Sequence, residues 1–308
     1  MDIEKPDDFR CGFVILVGRP NSGKSSILNA LLGQKVSIVS RVPQTTRHQI
    51  RGILDLKGAQ AVFVDTPGMH SFKDELTVCL NDVAAGALKD CELILYAADA
   101  SRAVGPEEEK VMDSILRRPA RTIMVLNKID LGGRFTDDYV AVWKTKIAAK
   151  GIADPVLSFL PLSAKTGKNL DVLRGLIVEN LPEGPAFYEP GTVTDFPVKM
   201  RCADIIREKL FCVLRDELPH SIAVEIEEIA KRKKLTYIKA AIYVERDSQK
   251  KIVIGKNAAI LKQAGIEARR DLEIVLGTKV YLDLGVKVEP GWQKSPRILQ
   301  NLGYLDSV

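Results

Sequence analysis

The chain is poor in cysteine, with five residues in 308, and Cys11, Cys79, Cys91, Cys202 and Cys212 form no CxxC pair. That spacing excludes a disulfide-stapled mini-protein and offers neither a zinc site nor a disulfide framework, so the thiols read as small, reduced core residues. Long hydrophobic runs are also missing: no stretch approaches the roughly 18 uninterrupted apolar residues of a spanning helix. There is no low-complexity segment and no internal repeat. The opening Met1-Asp2-Ile3-Glu4-Lys5-Pro6-Asp7-Asp8 is acidic where a secretory signal would be basic and then apolar, which gives the expectation of a cytoplasmic protein. What is present is ordinary globular composition, 46% hydrophobic and 28% charged with a mean hydropathy of −0.01. At roughly 100 to 200 residues per domain the length suits about two domains, each able to bury its own core.

Charge divides unevenly along the chain. Residues 1–194 hold 24 Lys/Arg against 24 Asp/Glu, and residues 195–308 hold 21 against 16, so the whole excess of five lies in the last third. It is concentrated in 231–287, with 14 basic residues against 6 acidic, opening on Lys231-Arg232-Lys233-Lys234. That run alone reads equally as a solvated turn between strands. A basic region attached to a neutral remainder points to a polyanion, and charge by itself leaves nucleic acid and an anionic membrane as alternatives.

Short β-rich apolar runs at 12–17, 59–64, 93–98, 121–126 and 156–160 alternate with helical patterns, the rhythm of a parallel sheet wrapped by helices. Pro182-Glu183-Gly184-Pro185 and Pro190-Gly191 break it and mark a domain boundary. Beyond them, periodicity predicts a helix over 204–217, strands over 222–229 and 236–244, a long helix over 258–276 and a strand over 280–288. The fold class expected is therefore α/β with a mainly parallel sheet, followed by a small α+β domain.

The first strand runs into Gly18-Arg19-Pro20-Asn21-Ser22-Gly23-Lys24-Ser25, and Ser26 opens an apolar helix. Strand, GxxxxGK[ST] and helix form a phosphate loop: its backbone N–H groups face the phosphates, Lys24 reaches the β and γ oxygens, and the Ser25 hydroxyl ligates Mg²⁺. After the next buried run come Asp65-Thr66-Pro67-Gly68, where Asp65 can hold Mg²⁺ through water and the Gly68 N–H can meet the γ-phosphate. Asn127-Lys128-Ile129-Asp130 selects the base: a carboxylate accepts from both the N1–H and the amine of guanine, a pair that adenine lacks. Ser163-Ala164-Lys165 is where a backbone N–H would meet the guanine O6, and it also reads as a helix cap before Gly167-Lys168-Asn169-Leu170. Four such elements in order, each at the C-terminal end of an expected strand, specify a guanine-nucleotide site.

With Gly33-Gln34-Lys35-Val36-Ser37-Ile38-Val39-Ser40 and Pro43-Gln44-Thr45-Thr46-Arg47 added, the chain resembles translation-factor-class GTPases and, among them, the bacterial Era family. Thr194-Asp195, Arg207-Glu208-Lys209, Asp216-Glu217-Leu218-Pro219-His220-Ser221, Gly265-Ile266-Glu267-Ala268-Arg269 and the Gly291-Trp292 to Leu302-Gly303-Tyr304 segment extend the resemblance over nearly the whole sequence. It implies a P-loop GTPase domain of the TrmE–Era kind at 1–184, a hinge at 185–198 and a type II KH domain with a C-terminal extension at 199–308. It further implies a monomer that binds GTP and GDP, hydrolyses GTP slowly, binds the 3′ end of 16S rRNA and acts in small ribosomal subunit maturation. The alternative is a regulatory GTPase peripheral on the cytoplasmic face of the inner membrane and linked to division or signalling.

The resemblance places a second Mg²⁺ ligand at Thr46 and makes Lys24, Thr46 and Gly68 the hydrolytic set. Met69 stands where many GTPases have a water-orienting glutamine, and Asn21 where related GTPases ligate K⁺. RNA is expected along Ile254, Gly255, Lys256, Asn257 and Ala258, with Lys262 and Arg269 on the helix that follows. Ala258 replaces the second glycine of a GxxG loop and is expected to suit a helical first turn. Gly285 stands where an aromatic is expected.

Overall fold

The computed structural model describes residues 8–39, 48, 50–65, 91–117, 120–214 and 221–304. They fall into two compact units, the first holding 8–37, 50–65 and 91–195 and the second 38, 39, 48 and 196–304.

The first unit is a six-stranded sheet in the order β2-β3-β1-β4-β5-β6, built from β1 (Arg10–Val17), β2 (Ile50–Leu56), β3 (Ala59–Asp65), β4 (Leu93–Asp99), β5 (Thr122–Asn127) and β6 (Val156–Pro161). Every neighbouring pair is parallel except β2 with β3. Among the described residues it carries helices α1 (Lys24–Leu32), α2 (Pro106–Leu116), α3 (Thr136–Lys150) and α4 (Leu170–Asn180). Apolar layers lie on both faces, Val14, Leu16, Phe63, Leu95 and Val125 on one and Ile15, Tyr96, Met124, Tyr139 and Trp143 on the other. Two covered faces explain why β3, β4 and β5 read as unbroken apolar runs. The parallel strands all end at one rim, which collects the loops after β1, β4 and β5 and the last residue of β3, Asp65.

Strand β2 does not stand out in the sequence. It joins β3 through Lys57-Gly58, where Gly58 takes φ 73°. Its outer edge is covered by residues of the expected hinge. The Ile53 N–H donates to the Val193 carbonyl (2.8 Å), the Thr194 hydroxyl to the Arg51 carbonyl (2.6 Å), and Arg51 pairs with Asp195 (3.0 Å). Gln60 accepts from the N–H groups of Phe187 and Tyr188, and Phe187 stacks on Phe13.

The second unit runs α5 (Val198–Val213), β7 (Ala223–Lys231), β8 (Thr236–Val244), α6 (Asp247–Ile254), α7 (Ala259–Leu276), β9 (Val280–Val288) and α8 (Pro296–Asn301). Strand β8 is central, antiparallel to β7 and parallel to β9. Ile238, Ala240, Ile242 and Val244 of β8 join one core with Ile205, Ile206 and Leu210 of α5 and Ala264, Ala268 and Leu272 of α7. The alternate residues Ala241 and Tyr243 lie on the opposite face under Trp292, Ile298, Leu299, Leu302 and Tyr304. Against expectation, α5 begins six residues early, and α6 fills the interval between the expected strand 236–244 and the expected helix 258–276, where no element was predicted.

A buried polar cluster ties this unit together. Arg207 bonds to the Tyr304 hydroxyl (2.6 Å) and pairs with Asp204 (2.9 Å). His48 lies 3.3 Å from Asp204 and donates from Nε2 to the Leu302 carbonyl (2.8 Å). Its ring packs on Phe196 and Tyr304. Among the described residues Cys11, Cys91, Cys202 and Cys212 are free thiols, and burial pushes Cys202 up to about 11. No described helix is long and apolar enough to cross a membrane.

Candidate nucleotide site and nucleic-acid loop

Gly18 and Gly23 bracket the phosphate loop, and both are forced. A Cβ on Gly18 would collide with the Ala97 carbonyl, and one on Gly23, at φ 102°, with the Asn127 amide. Asn21 takes φ 61°, a left-handed conformation that asparagine tolerates. Gly23 then caps α1, whose first turn carries no acidic residue to compete for its free N–H groups. Lys24 is buried and donates to the carbonyls of Gly18 (2.9 Å) and Arg19 (3.1 Å). Burial lowers its pKa, with the charges of Asp65 and Glu108 acting the other way.

Asp65 closes β3 and is fully buried. Its Oδ2 accepts from Ser25 and Ser37 (both 2.7 Å), while Oδ1 has no hydrogen-bond partner among the described residues. Burial raises its pKa, opposed by the Ser25 bond and the Lys24 charge. A buried carboxylate oxygen with nothing to accept, beside a hydroxyl at a helix start, fits a hard divalent cation such as Mg²⁺. Asn29 secures Ser37 by accepting from the N–H groups of Val36 and Ser37 (2.8 and 3.0 Å) and donating to the Ser37 carbonyl (2.7 Å).

The base-side elements converge on the same rim. Asn127 donates to the Ser22 carbonyl (3.0 Å) and accepts from the Ala164 N–H (3.1 Å), so one side chain links the phosphate loop to the Ser163-Ala164-Lys165 turn. Lys128, at φ 66°, donates to the Asn21 carbonyl (2.6 Å). Asp130 accepts from the Ser163 hydroxyl (2.7 Å). Ser163 is buried and also receives the Thr166 N–H (3.2 Å), which closes the turn; the reading of this serine as a helix cap is corrected, because α4 begins at Leu170 with Asn169 at its N-cap. Thr45, Thr46, Thr66, Pro67, Gly68, Met69 and Cys79 lie outside the described residues.

Two acidic residues not anticipated from the sequence organise the loop from behind. Asp99, at the end of β4, pairs with Lys128 (2.8 Å) and Arg19 (3.2 Å). Burial alone would raise its pKa, but hydrogen bonds from Lys128 and Ser101 hold it below the usual carboxylate range. Glu108 accepts from Arg19 (2.6 Å), Tyr96 (2.7 Å) and Tyr139 (3.0 Å). Arg19 therefore meets a nucleotide through its backbone, its guanidinium being committed to Asp99 and Glu108. An aspartate ending an apolar strand is the signature that flagged Asp65, and it applies equally to Asp99.

In the second unit the expected RNA loop joins two helices. Gly255 ends α6 at φ 72°, ψ 169°, where a Cβ would come within 2.8 Å of Ile260. Lys256 and Asn257 are exposed, as are Lys262 and Arg269, seven residues apart and so on one stripe of α7. Ile254 and Ala258 are half-buried. The expectation that Ala258 suits a helical turn is corrected: it caps α7 at φ 59°, ψ 24°, directly after Asn257 at φ 53°. Alanine in that conformation costs about 1 kcal/mol. Ala258→Gly should therefore stabilise this unit by about 1 kcal/mol, read as a higher urea midpoint at unchanged slope. A lower midpoint would contradict the left-handed cap.

A family model described as a 50S ribosome-binding GTPase matches residues 13–128, and a KH-domain model matches 217–293. The chain is 43% identical over 299 residues to the GTPase Era of Caldanaerobacter subterraneus subsp. tengcongensis, covering 96% of this chain and 98% of that one. A variant of Aquifex aeolicus Era bound to GDP and AlF₄⁻ superposes with a TM-score of 0.88 at 38% identity, covering 96% of this chain and 99% of the other. An Era bound to MgGDPNP and nucleotides 1506–1542 of 16S ribosomal RNA gives a TM-score of 0.88 at 36% identity, with the same coverage.

Proposed function

The chain belongs to the Era family of GTPases, and from that premise we propose that it couples GTP hydrolysis in its first unit to binding of the 3′ end of small-subunit rRNA by its second, in the service of small-subunit maturation. The observation that carries this reading is the Asn127 bridge, which fixes phosphate and base elements in one site. Lys24 and the backbone from Gly18 to Ser26 hold the phosphates. Ser25 and Asp65, joined by Thr46, hold Mg²⁺, which supplies positive charge at the β- and γ-phosphates. Thr66, Pro67 and Gly68 lie beside the γ-phosphate, with the Gly68 N–H donating to it. Asp130 reads guanine, Lys128 lies over its plane, and Ala164 and Lys165 close on its O6. With Met69 unable to orient water, intrinsic turnover is slow. RNA lies along 254–258, against Lys262 and Arg269.

On this reading 1–184 is the GTPase domain, 185–198 the hinge and 199–308 the KH domain, and residues 187–195 of that hinge are bonded into the first unit. Crosslinking in cells followed by sequencing of the attached RNA tests it: reads should pile up at the 3′ end of 16S rRNA, and reads scattered over total RNA would overturn the assignment.

Asn21 is the K⁺ ligand in this proposal, supplying charge where a transition state develops it on the β–γ bridge. Replacing Na⁺ by K⁺ at constant ionic strength should raise turnover severalfold. Asn21→Gly accepts the left-handed backbone but lacks the carbonyl, so it should lose that gain while still binding GTP. Equal rates in both salts would remove the cation.

A further inference from the structure

We infer that the outer face of the second unit's sheet carries a second RNA contact, in which single-stranded bases stack on Tyr237 and Tyr281 while the 231–234 turn holds backbone phosphates. It rests on the RNA reading of this unit and adds a surface away from the Gly255 loop.

The turn joins β7 to β8 and is closed by the Lys231–Thr236 pairing and the Arg232 N–H to Leu235 carbonyl bond (2.8 Å). Lys231, Arg232, Lys233 and Lys234 are all exposed, and none has an ion-pair partner among the described residues. Around this face Glu227 is engaged with Lys239 and Lys287, Glu225 with the Tyr243 hydroxyl and Asp283 with the Tyr237 hydroxyl, and Glu228, opposite Lys239 on β7, places one further negative charge near Tyr237. Four cations of the turn therefore stand against one nearby carboxylate, and a phosphate backbone is the partner whose binding gains most from them through counterion release.

Beside the turn lies an aromatic platform. Tyr237 and Tyr281 are direct neighbours across β8 and β9, their rings stacked at 5.8 Å and 19°, and the Arg232 guanidinium sits 4.6 Å over Tyr237. Both lie on the face opposite α5 and α7. Further along the same face Ala241 and Tyr243 are covered by the Trp292–Tyr304 layer, but that cover stops short of Tyr281, which is 59% exposed. Gly285 on the adjoining strand adds no side chain to obstruct the approach. One exposed and one half-buried planar ring with a guanidinium and lysines at their edge are the composition of a base-stacking site. A membrane would instead require bulky aliphatic residues on an amphipathic helix.

This surface is separate from the Gly255 loop. Tyr281 follows the C-terminal end of α7, where the Thr236 N–H meets the Lys279 carbonyl (2.7 Å). Gly255 precedes the N-terminal end, and an 18-residue helix is about 27 Å long. A KH loop clamps about four nucleotides, so only a longer RNA reaches both surfaces.

The test uses the full chain with Mg²⁺ and a non-hydrolysable GTP analogue, and measures anisotropy at fixed salt. One single-stranded RNA has about six nucleotides, and another of about twenty contains the same segment. The double variant Tyr237→Ala/Tyr281→Ala should bind the short RNA within about twofold of the parent and the long RNA about tenfold or more weaker. The paired Tyr→Phe changes should restore the long-RNA affinity, because stacking survives them. Replacing Lys231, Arg232, Lys233 and Lys234 by Ser should flatten the salt dependence for the long RNA by roughly 0.7 per lost phosphate contact. Equal losses for both RNAs, no loss for either, or failure of the Phe rescue would each overturn the second contact. Gly255→Asp should weaken both RNAs; a parent protein that binds neither would overturn the RNA reading itself.

Discussion

Asp130→Asn is expected to cost on the order of 10⁴-fold in GTP affinity and to confer binding of xanthosine triphosphate. A carboxylate at this position accepts from the guanine N1–H and exocyclic amine, whereas an amide turns a donor toward the amine. Xanthine carries a carbonyl there, so the same amide becomes complementary. The geometry sharpens the expectation, because Asp130 Oδ1 already accepts from the Ser163 hydroxyl, and that bond can be kept only by the amide oxygen. Ser163 would thus orient the new side chain with its NH₂ group toward the base. Competition binding with the two triphosphates decides the matter. A variant that still prefers GTP by the parent's margin would remove Asp130 from base recognition, and adding Ser163→Ala should erode the xanthine preference.

Arg207→Leu should destabilise the second unit by about 3 to 5 kcal/mol, a large share of the roughly 5 to 15 kcal/mol that holds a domain. The guanidinium is 2% exposed, pairs with Asp204 and donates to Tyr304, so its removal takes a counter-charge from a buried carboxylate, leaving His48 beside it at 3.3 Å, and a donor from a buried hydroxyl. The two tryptophans make the effect measurable, since Trp143 lies in the first unit and Trp292 in the second. With Trp143→Phe as background, urea unfolding followed by Trp292 fluorescence reports the second unit. A change under about 1 kcal/mol would show the pair to be dispensable. Adding Asp204→Asn should recover part of the loss, because the buried charge that Arg207 balanced is then gone.

The nucleotide site was legible because its requirements are local. Tight glycines, a lysine and a serine must follow one another along a loop, and a buried strand must end in Asp65 or Asn127, so spacing alone reveals them. The Asp99–Glu108–Arg19 network was not legible, since its members lie up to 89 positions apart and only the folded sheet brings them together. Strands with two covered faces announced themselves as apolar runs. Strand β2, Ile-Arg-Gly-Ile-Leu-Asp-Leu, is an edge strand with exposed or half-exposed polar positions and did not. Helix α6 hid for a related reason: it has eight residues and buries only Val253. Left-handed geometry at Ala258 escaped because alanine carries no signal for it.

The strip from Gly191 to Asp195 along β2 bears on how the GTPase unit behaves when cut away from the rest. Residue 184, where the composition changes, is the natural place to end a fragment, yet a chain stopped there loses the partners of the Ile53 N–H and the Arg51 carbonyl. An edge strand bared in this way is a template for strand addition from a second copy. Ending the fragment after Asp195 keeps the strip, and with it the Arg51 pair, and so protects the severed unit from self-association and precipitation.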